Sequence, residues 1–205
     1  MDFTRVSIPY SHIYWEGNTA KTQVVVSATG TFDTGNAWAR IPREPNMLPA
    51  YIIERDGQLL QLFSPNYYSL YPRMADANPR IIAVALANGG PVVRCGNRCY
   101  QPDPDGGALL SQPVAHFYEY CRCEPWRGRL YFEMFPDAQL RTLDRLLRYL
   151  LRRFGIRHTY DILTPEVTPR LRRGVPGVYL NSGYSRRRSD PHPQPELLNV
   201  LKNLK

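Results

Sequence analysis

Ile81-Ile82-Ala83-Val84-Ala85-Leu86-Ala87-Asn88, closed by Gly89-Gly90-Pro91, is the stretch on which the reading of this chain turns. It carries no charge, and its β-branched Ile81, Ile82 and Val84 suit an extended backbone. Apolar side chains on both parities predict a strand buried on both faces, not an edge strand with one wet face. The diglycine and proline end it sharply. Ala83, Ala85 and Ala87 leave room for whatever packs above and below.

Upstream, Gln23-Val24-Val25-Val26-Ser27-Ala28-Thr29 reads as a second buried strand, ended by Gly30. The runs at 50–54 and 58–63 flank Arg55-Asp56-Gly57, and Asp-Gly between two such runs is a hairpin signal. Residues 1–20 are polar and aromatic without a period, Phe32 to Met47 reads as a long irregular loop, and Pro65 to Pro79 as a tyrosine-rich loop. Downstream, Val92 to Phe135 reads as a β-rich excursion. It has a tight turn at Cys95–Cys99, a loop at Pro102–Gly107, and strands at His116–Cys123 and Arg129–Phe135. Asp137 to Phe154 predicts a helix, because Leu140, Leu143, Leu147, Leu150 and Phe154 recur at three- and four-residue steps, with Gly155 placed as a C-cap. Residues 157–189 read mostly as loop, and Pro195 to Leu204 as a short amphipathic helix. Strands followed by one long helix predict a single α/β domain.

A chain of 205 residues with 43% apolar content can bury a core, so disorder is excluded. The balance of 26 Lys+Arg against 18 Asp+Glu, net +8, favours polyanionic partners without choosing among them. Arg141, Arg145, Arg148 and Arg152 form a stripe on the long helix, read as a solvated face with a polyanion contact as the alternative. No apolar run approaches ~18 residues, so no membrane insertion is expected. Met1–Arg5 lacks a basic segment leading into an apolar stretch, so the chain is expected to be cytoplasmic as synthesised, with non-classical delivery to a cell wall open to it.

Several motifs then fall in one serial order: Val24–Thr29, Tyr51–Gly57, Gln61-Leu62-Phe63-Ser64-Pro65, Ile82–Leu86, Asp137-Ala138-Gln139 opening the helix, and Arg188-Ser189-Asp190-Pro191-His192-Pro193. In that order the chain resembles the zinc-dependent N-acetylmuramoyl-L-alanine amidase family, whose fold is shared with peptidoglycan recognition proteins, over roughly residues 22–201. The resemblance implies a central mixed β-sheet flanked by helices, with a β-rich insertion at about 92–133. It also implies a zinc held by two histidines and an Asp or Cys, leaving one open position for water, with a glutamate or tyrosine and a lysine managing protons and the oxyanion.

The resemblance places apolar or amide residues at most of those functional positions. The first-strand histidine falls at or next to Val25, the central-strand glutamate on Ala85, and the aromatic-histidine pair before the hairpin on Pro49-Ala50. The second zinc histidine falls near Asn181. Asp190 keeps the last ligand, and Arg188 stands where the family often has lysine. A rebuilt metal site from His158, Asp190 and His192 is the alternative to His192 as a surface or capping residue. The catalytic zinc is therefore expected to be absent from the family's site.

Cys95, Cys99, Cys121 and Cys123 all fall in the insertion. A structural zinc held by four thiolates, one or two disulfides, and four free thiols remain open. On an extended strand Cys121 and Cys123 face the same way, and Cys95 and Cys99 approach across a turn.

Three functions remain. The first is an amidase-fold pseudoenzyme binding a peptidoglycan fragment or a protein partner, with Trp38, Tyr51, Tyr67, Tyr68, Tyr71, Asn181, Arg188 and His192 as candidate ligand contacts. The second is an active amidase with an unusual metal site. The third is a basic nucleic-acid-binding protein using the arginine stripe, Arg170–Arg173 and Arg186–Arg188; no nucleic-acid module motif supports it.

Overall fold

The computed structural model describes residues 3–6, 14–17, 19–30, 48–102, 108–116, 121–157 and 169–204, so Trp38 and His158 lie outside the described residues, as does the span read as a loop at 32–47. The strands in chain order are β1 (Thr4–Arg5), β2 (Gln23–Ala28), β3 (Tyr51–Ile53), β4 (Leu59–Gln61) and β5 (Ile81–Leu86). The insertion supplies β6 (Pro91–Cys95), β7 (Arg98–Pro102), β8 (Ala108–His116), β9 (Cys121–Trp126) and β10 (Arg129–Glu133). There follow α1 (Asp137–Phe154), α2 (Pro169–Arg172), β11 (Gly177–Leu180) and α3 (Pro195–Lys202).

The main sheet runs β1-β4-β3-β5-β2-β11. Only the β3–β4 hairpin is antiparallel; the other four pairings are parallel. Every residue of β5 and β2 is buried, as apolar side chains on both parities require. On one face α1 lays down Leu143, Leu146, Leu147 and Leu150 against Val24, Val26, Ile52 and Val84. Each fully buried leucine contributes about 2 kcal/mol of transfer free energy, so this stripe fixes the helix to the sheet. On the other face Val25 and Ala83 pack with Met74, Ala77, Leu171 and Tyr179, so α2 and a 3-10 helix at Ala75–Arg80 complete the sandwich. Gln139 ties the first turn of α1 to two strand ends, donating from Nε2 to the carbonyls of Ile53 (2.8 Å) and Ala87 (3.1 Å). Gly155 ends α1 in the left-handed conformation, as its place after the leucine stripe predicts.

Three expectations are corrected here. A 3-10 helix occupies part of the span read as a tyrosine-rich loop. The strand expected at His116–Cys123 is divided: β8 ends at His116, β9 begins at Cys121, and 117–120 lie outside the described residues. The span read as loop at 157–189 contains β11, which pairs with β2 from Gly177↔Gln23 to Leu180↔Val26. Four residues between Pro176 and Asn181 carry too short a pattern to announce a strand; β2 supplies the template.

The insertion is a five-stranded antiparallel sheet ordered β8-β7-β6-β10-β9. β7 and β9 stand three steps apart, about 14 Å in a flat sheet at the usual strand spacing. The Cys99–Cys121 disulfide joins them at a Cα separation of 7.0 Å, so the sheet is curled. Cys95 and Cys123 are exposed free thiols. Of the alternatives left open for the four cysteines the structure has one disulfide, made across the curled sheet and not across the Cys95–Cys99 turn. With that bond made, two of the four sulfurs are not thiolates for a zinc. Among the described residues no three His, Cys, Asp or Glu side chains gather as a metal-holding group, and no helix is long and apolar enough to cross a membrane.

A buried ion pair joins the insertion to the hairpin. Arg55 Nη1 lies 2.7 Å from Glu133 Oε1 and also donates to the Met134 carbonyl. Glu133 Oε2 accepts the Gly89 N–H. Burial pushes the Glu133 carboxyl up, against the opposing pull of Arg55 and the Gly89 N–H. Arg55→Met is expected to lose about 3–5 kcal/mol in urea unfolding, because it leaves a buried carboxylate uncompensated. Gly57→Ala is expected to lose about 1–3 kcal/mol in the same assay, because φ is +90° and a Cβ would stand 2.8 Å from the Ala138 carbonyl oxygen.

Candidate functional site

The parallel strands β11, β2 and β5 end along one edge of the sheet, the edge where open α/β sheets place ligands. Register sets the row of residues there. Ser27 pairs with Ala85 and Leu180 with Val26, so Asn181, Ser27 and Ala85 follow one another across three strands. All three are buried. Val25 lies two residues earlier on β2, fully buried in the apolar cluster with Leu171 and Tyr179.

Asp190 meets this row. Asn181 Nδ2 donates to both its carboxylate oxygens, at 3.0 and 2.9 Å, and the Ala28 N–H donates to Oδ2 at 3.2 Å. Arg188 donates through Nη1 to Asn181 Oδ1 and to the Pro72 carbonyl, and through Nη2 to the Arg73 carbonyl at 2.7 Å. The Ser27 hydroxyl is 2.7 Å from the Tyr71 hydroxyl. Burial pushes the Tyr71 phenol well up, and the Asp190 charge adds to this, so the group stays a neutral hydroxyl. Burial pulls the Arg188 guanidinium down, while Asp190, Tyr184 and Tyr71 act to restore it and Arg73 opposes them.

Arg188 also stacks on the Tyr184 ring at 4.7 Å, and Arg172 does so at 4.9 Å. The β9–β10 turn reaches over to the same loop. Trp126 Nε1 donates to the Ser189 carbonyl at 3.2 Å, and Arg127 Nη1 donates to the carbonyls of Ser185 (2.6 Å) and Arg188.

The structure thus brings Asn181, Arg188, Asp190 and Tyr71 together, with Ala85 in the neighbouring strand position. It does not bring in the other candidates. Tyr51 is 1% exposed and packs in the core cluster that α1 joins. Tyr67 stacks on Tyr14, and Tyr68 stacks on Trp15 near Lys21, which precedes β2 at the end away from Asp190. His192 is not a surface residue. It is 2% exposed and stacked between Phe132 and Phe135, at centroid distances of 4.6 and 4.9 Å, with Nε2 3.4 Å from Glu124 Oε2. The inserted sheet covers it. Ser27, Trp126 and Arg127 were missed by sequence reasoning. Ser27 carried a signal, as the one polar side chain inside Val24–Ala28, whereas Trp126 and Arg127 read as an ordinary turn before Gly128.

The donors at this place do not fit zinc. A catalytic zinc takes imidazole, thiolate or carboxylate ligands. Here one carboxylate stands with a hydroxyl and a carboxamide, and the carboxamide oxygen already accepts from a guanidinium.

The sequence matches the family described as N-acetylmuramoyl-L-alanine amidase over residues 17–193. Among solved structures, the chain is similar to the N-acetylmuramoyl-L-alanine amidase LysC from Clostridium intestinale, at 11% identity and a TM-score of 0.54, covering 100% of this chain and 99% of that one. It is similar to PlyL at 11% identity and a TM-score of 0.53, covering 100% and 99%. It is also similar to an AmpD derivative at 12% identity and a TM-score of 0.52, covering 97% and 94%. At such identities the likeness concerns the fold. No curated protein matches the chain in sequence.

Replacing Asn181 by Leu removes the amide that spans the Asp190 carboxylate. Asn181→Leu is expected to lower unfolding free energy by about 1–3 kcal/mol, and Tyr71→Phe by about 1 kcal/mol, both read from urea transitions.

Proposed function

Because the chain belongs to the N-acetylmuramoyl-L-alanine amidase family, we propose that it engages peptidoglycan as a binding domain that no longer cuts it. The observation that carries this reading is the Asn181 amide spanning both oxygens of Asp190. The one remaining carboxylate ligand is engaged by a side chain that is a poor metal ligand itself.

Hydrolysis of the family's amide bond needs an activated water, a group to move its proton, and a donor for the oxyanion. Ala85 has no proton to move where the family has its glutamate. Val25 and Asn181 offer no imidazole to a metal, and the Ser27 hydroxyl two residues on is 2.7 Å from the Tyr71 hydroxyl. Arg188 retains donors, but these are committed to the Pro72 and Arg73 carbonyls and to Asn181. What supports binding is the strand-edge position of the site and its partly buried cation. The arginine stripe of α1 lends less support to nucleic acid as partner. Arg148 pairs with Asp144 at 3.0 Å, Arg145 bonds Thr142, and Arg152 bonds the Arg148 carbonyl, all within the helix.

Purified protein supplied with zinc and incubated with sacculi is expected to release no peptide stems, scored as new N-terminal L-alanine. It is expected to co-sediment with sacculi at about 150 mM salt, where screening removes loose surface attraction. Released peptide stems would replace this reading with an active amidase. Absence of both release and co-sedimentation would turn the search to a protein partner.

A further inference from the structure

We propose that the cleft between α1 and the β1–β4 edge of the main sheet binds a compact diphosphate through Arg145, Arg148 and Arg152. The Asp190 site lies at the other edge of that sheet, beside β11. The inference is therefore independent of what the strand-edge site binds.

The first observation is the sign of the lining. The cleft has a volume of about 690 Å³, within the range of small-ligand sites. Arg145, Arg148 and Arg152 line it with Tyr149 and Gln58, and among the described residues no carboxylate does. Steps of three and four residues put the guanidinia on one flank of α1, over about 10 Å of helix rise. Like charges so spaced repel one another, and a bound anion relieves the repulsion.

The second observation is how the arginines are held. Arg145 donates to the Thr142 hydroxyl, which in turn donates to the Gly57 carbonyl of the hairpin. Arg152 donates through Nε to the Arg148 carbonyl. Both acceptors are neutral, so each guanidinium is oriented while its charge is not offset. Most of its N–H donors are left for a ligand. Arg153 donates to the Tyr149 hydroxyl oxygen, which leaves the Tyr149 proton to donate into the cleft. Planar guanidinium forks match phosphate oxygens in pairs.

The third observation sets the size of the ligand. Arg148 pairs with Asp144 at 3.0 Å, and Asp144 lines an adjoining cleft with Asp56, Asp137 and Glu196. The two clefts are continuous through Gly57, Thr142, Arg145 and Arg148. A long polyanion leaving the cationic cleft along α1 runs onto those carboxylates, whereas a compact anion avoids them. A diphosphate offers oxygens to guanidinia on successive turns, which a single phosphate is too short to bridge.

The test is a calorimetric titration of the full chain with sodium pyrophosphate, without a divalent cation. Saturable binding at one site is expected at about 50 mM salt, weakening as salt rises to about 150 mM. Arg145→Gln and Arg152→Gln are each expected to weaken it about fivefold or more, through loss of charge-assisted donors. Arg141→Gln removes the same charge from a residue that lines only the adjoining cleft, and is expected to change binding less than about twofold. Gln58→Glu places a carboxylate on the opposite wall without touching the helix, and is expected to weaken binding several-fold. It keeps the test decisive should a helix variant fail to fold. Absence of saturable binding overturns the proposal, as does an equal loss in Arg141→Gln and Arg152→Gln. A short single-stranded oligonucleotide that displaces pyrophosphate at a lower phosphate concentration overturns the compact ligand.

Discussion

A strand buried on both faces has to be covered twice, and β5 with its neighbour β2 imposes that demand on everything around it. The leucine stripe of α1 meets it on one side. Met74, Ala77, Leu171 and Tyr179 meet it on the other, drawn from segments with little regular pattern of their own. Parallel pairing then follows from connections long enough to cross over, and it lines up the C-terminal ends of β2, β5 and β11 on one edge. The site exists because those three strands stop together.

At that edge the polar side chains form one connected network. A metal site is a cluster of groups that all point at one ion. Here the side chains bond one another: amide to carboxylate, guanidinium to amide, hydroxyl to phenol. Such a closed network is satisfied without an ion, and a satisfied polar network in a partly buried place is rigid.

The insertion leaves β5 at Asn88, whose side chain donates to the carbonyls of Glu133 and Met134 where the insertion returns. Its two ends are therefore pinned side by side, and the Arg55–Glu133 pair locks the return to the hairpin. From that base the curled sheet covers His192 and extends the Trp126–Arg127 turn over the loop that carries Arg188. Fold and site are coupled through this one appendage.

The sequence by itself determined β5, β2, the Asp-Gly hairpin, α1 with its glycine cap, and the resemblance to the amidase family. These features are local: burial pattern, turn chemistry and helical period are written in consecutive residues. It also marked Asn181, Arg188 and Asp190, since motif order survives without coordinates. The roles of Ser27, Arg127 and Trp126, the strand β11, the burial of His192 and Tyr51, and the Cys99–Cys121 pairing were decided by the tertiary structure. Each depends on a partner far along the chain, such as β2 for β11 or Ser189 for Trp126. A contact between distant residues leaves no period in the sequence from which to read it.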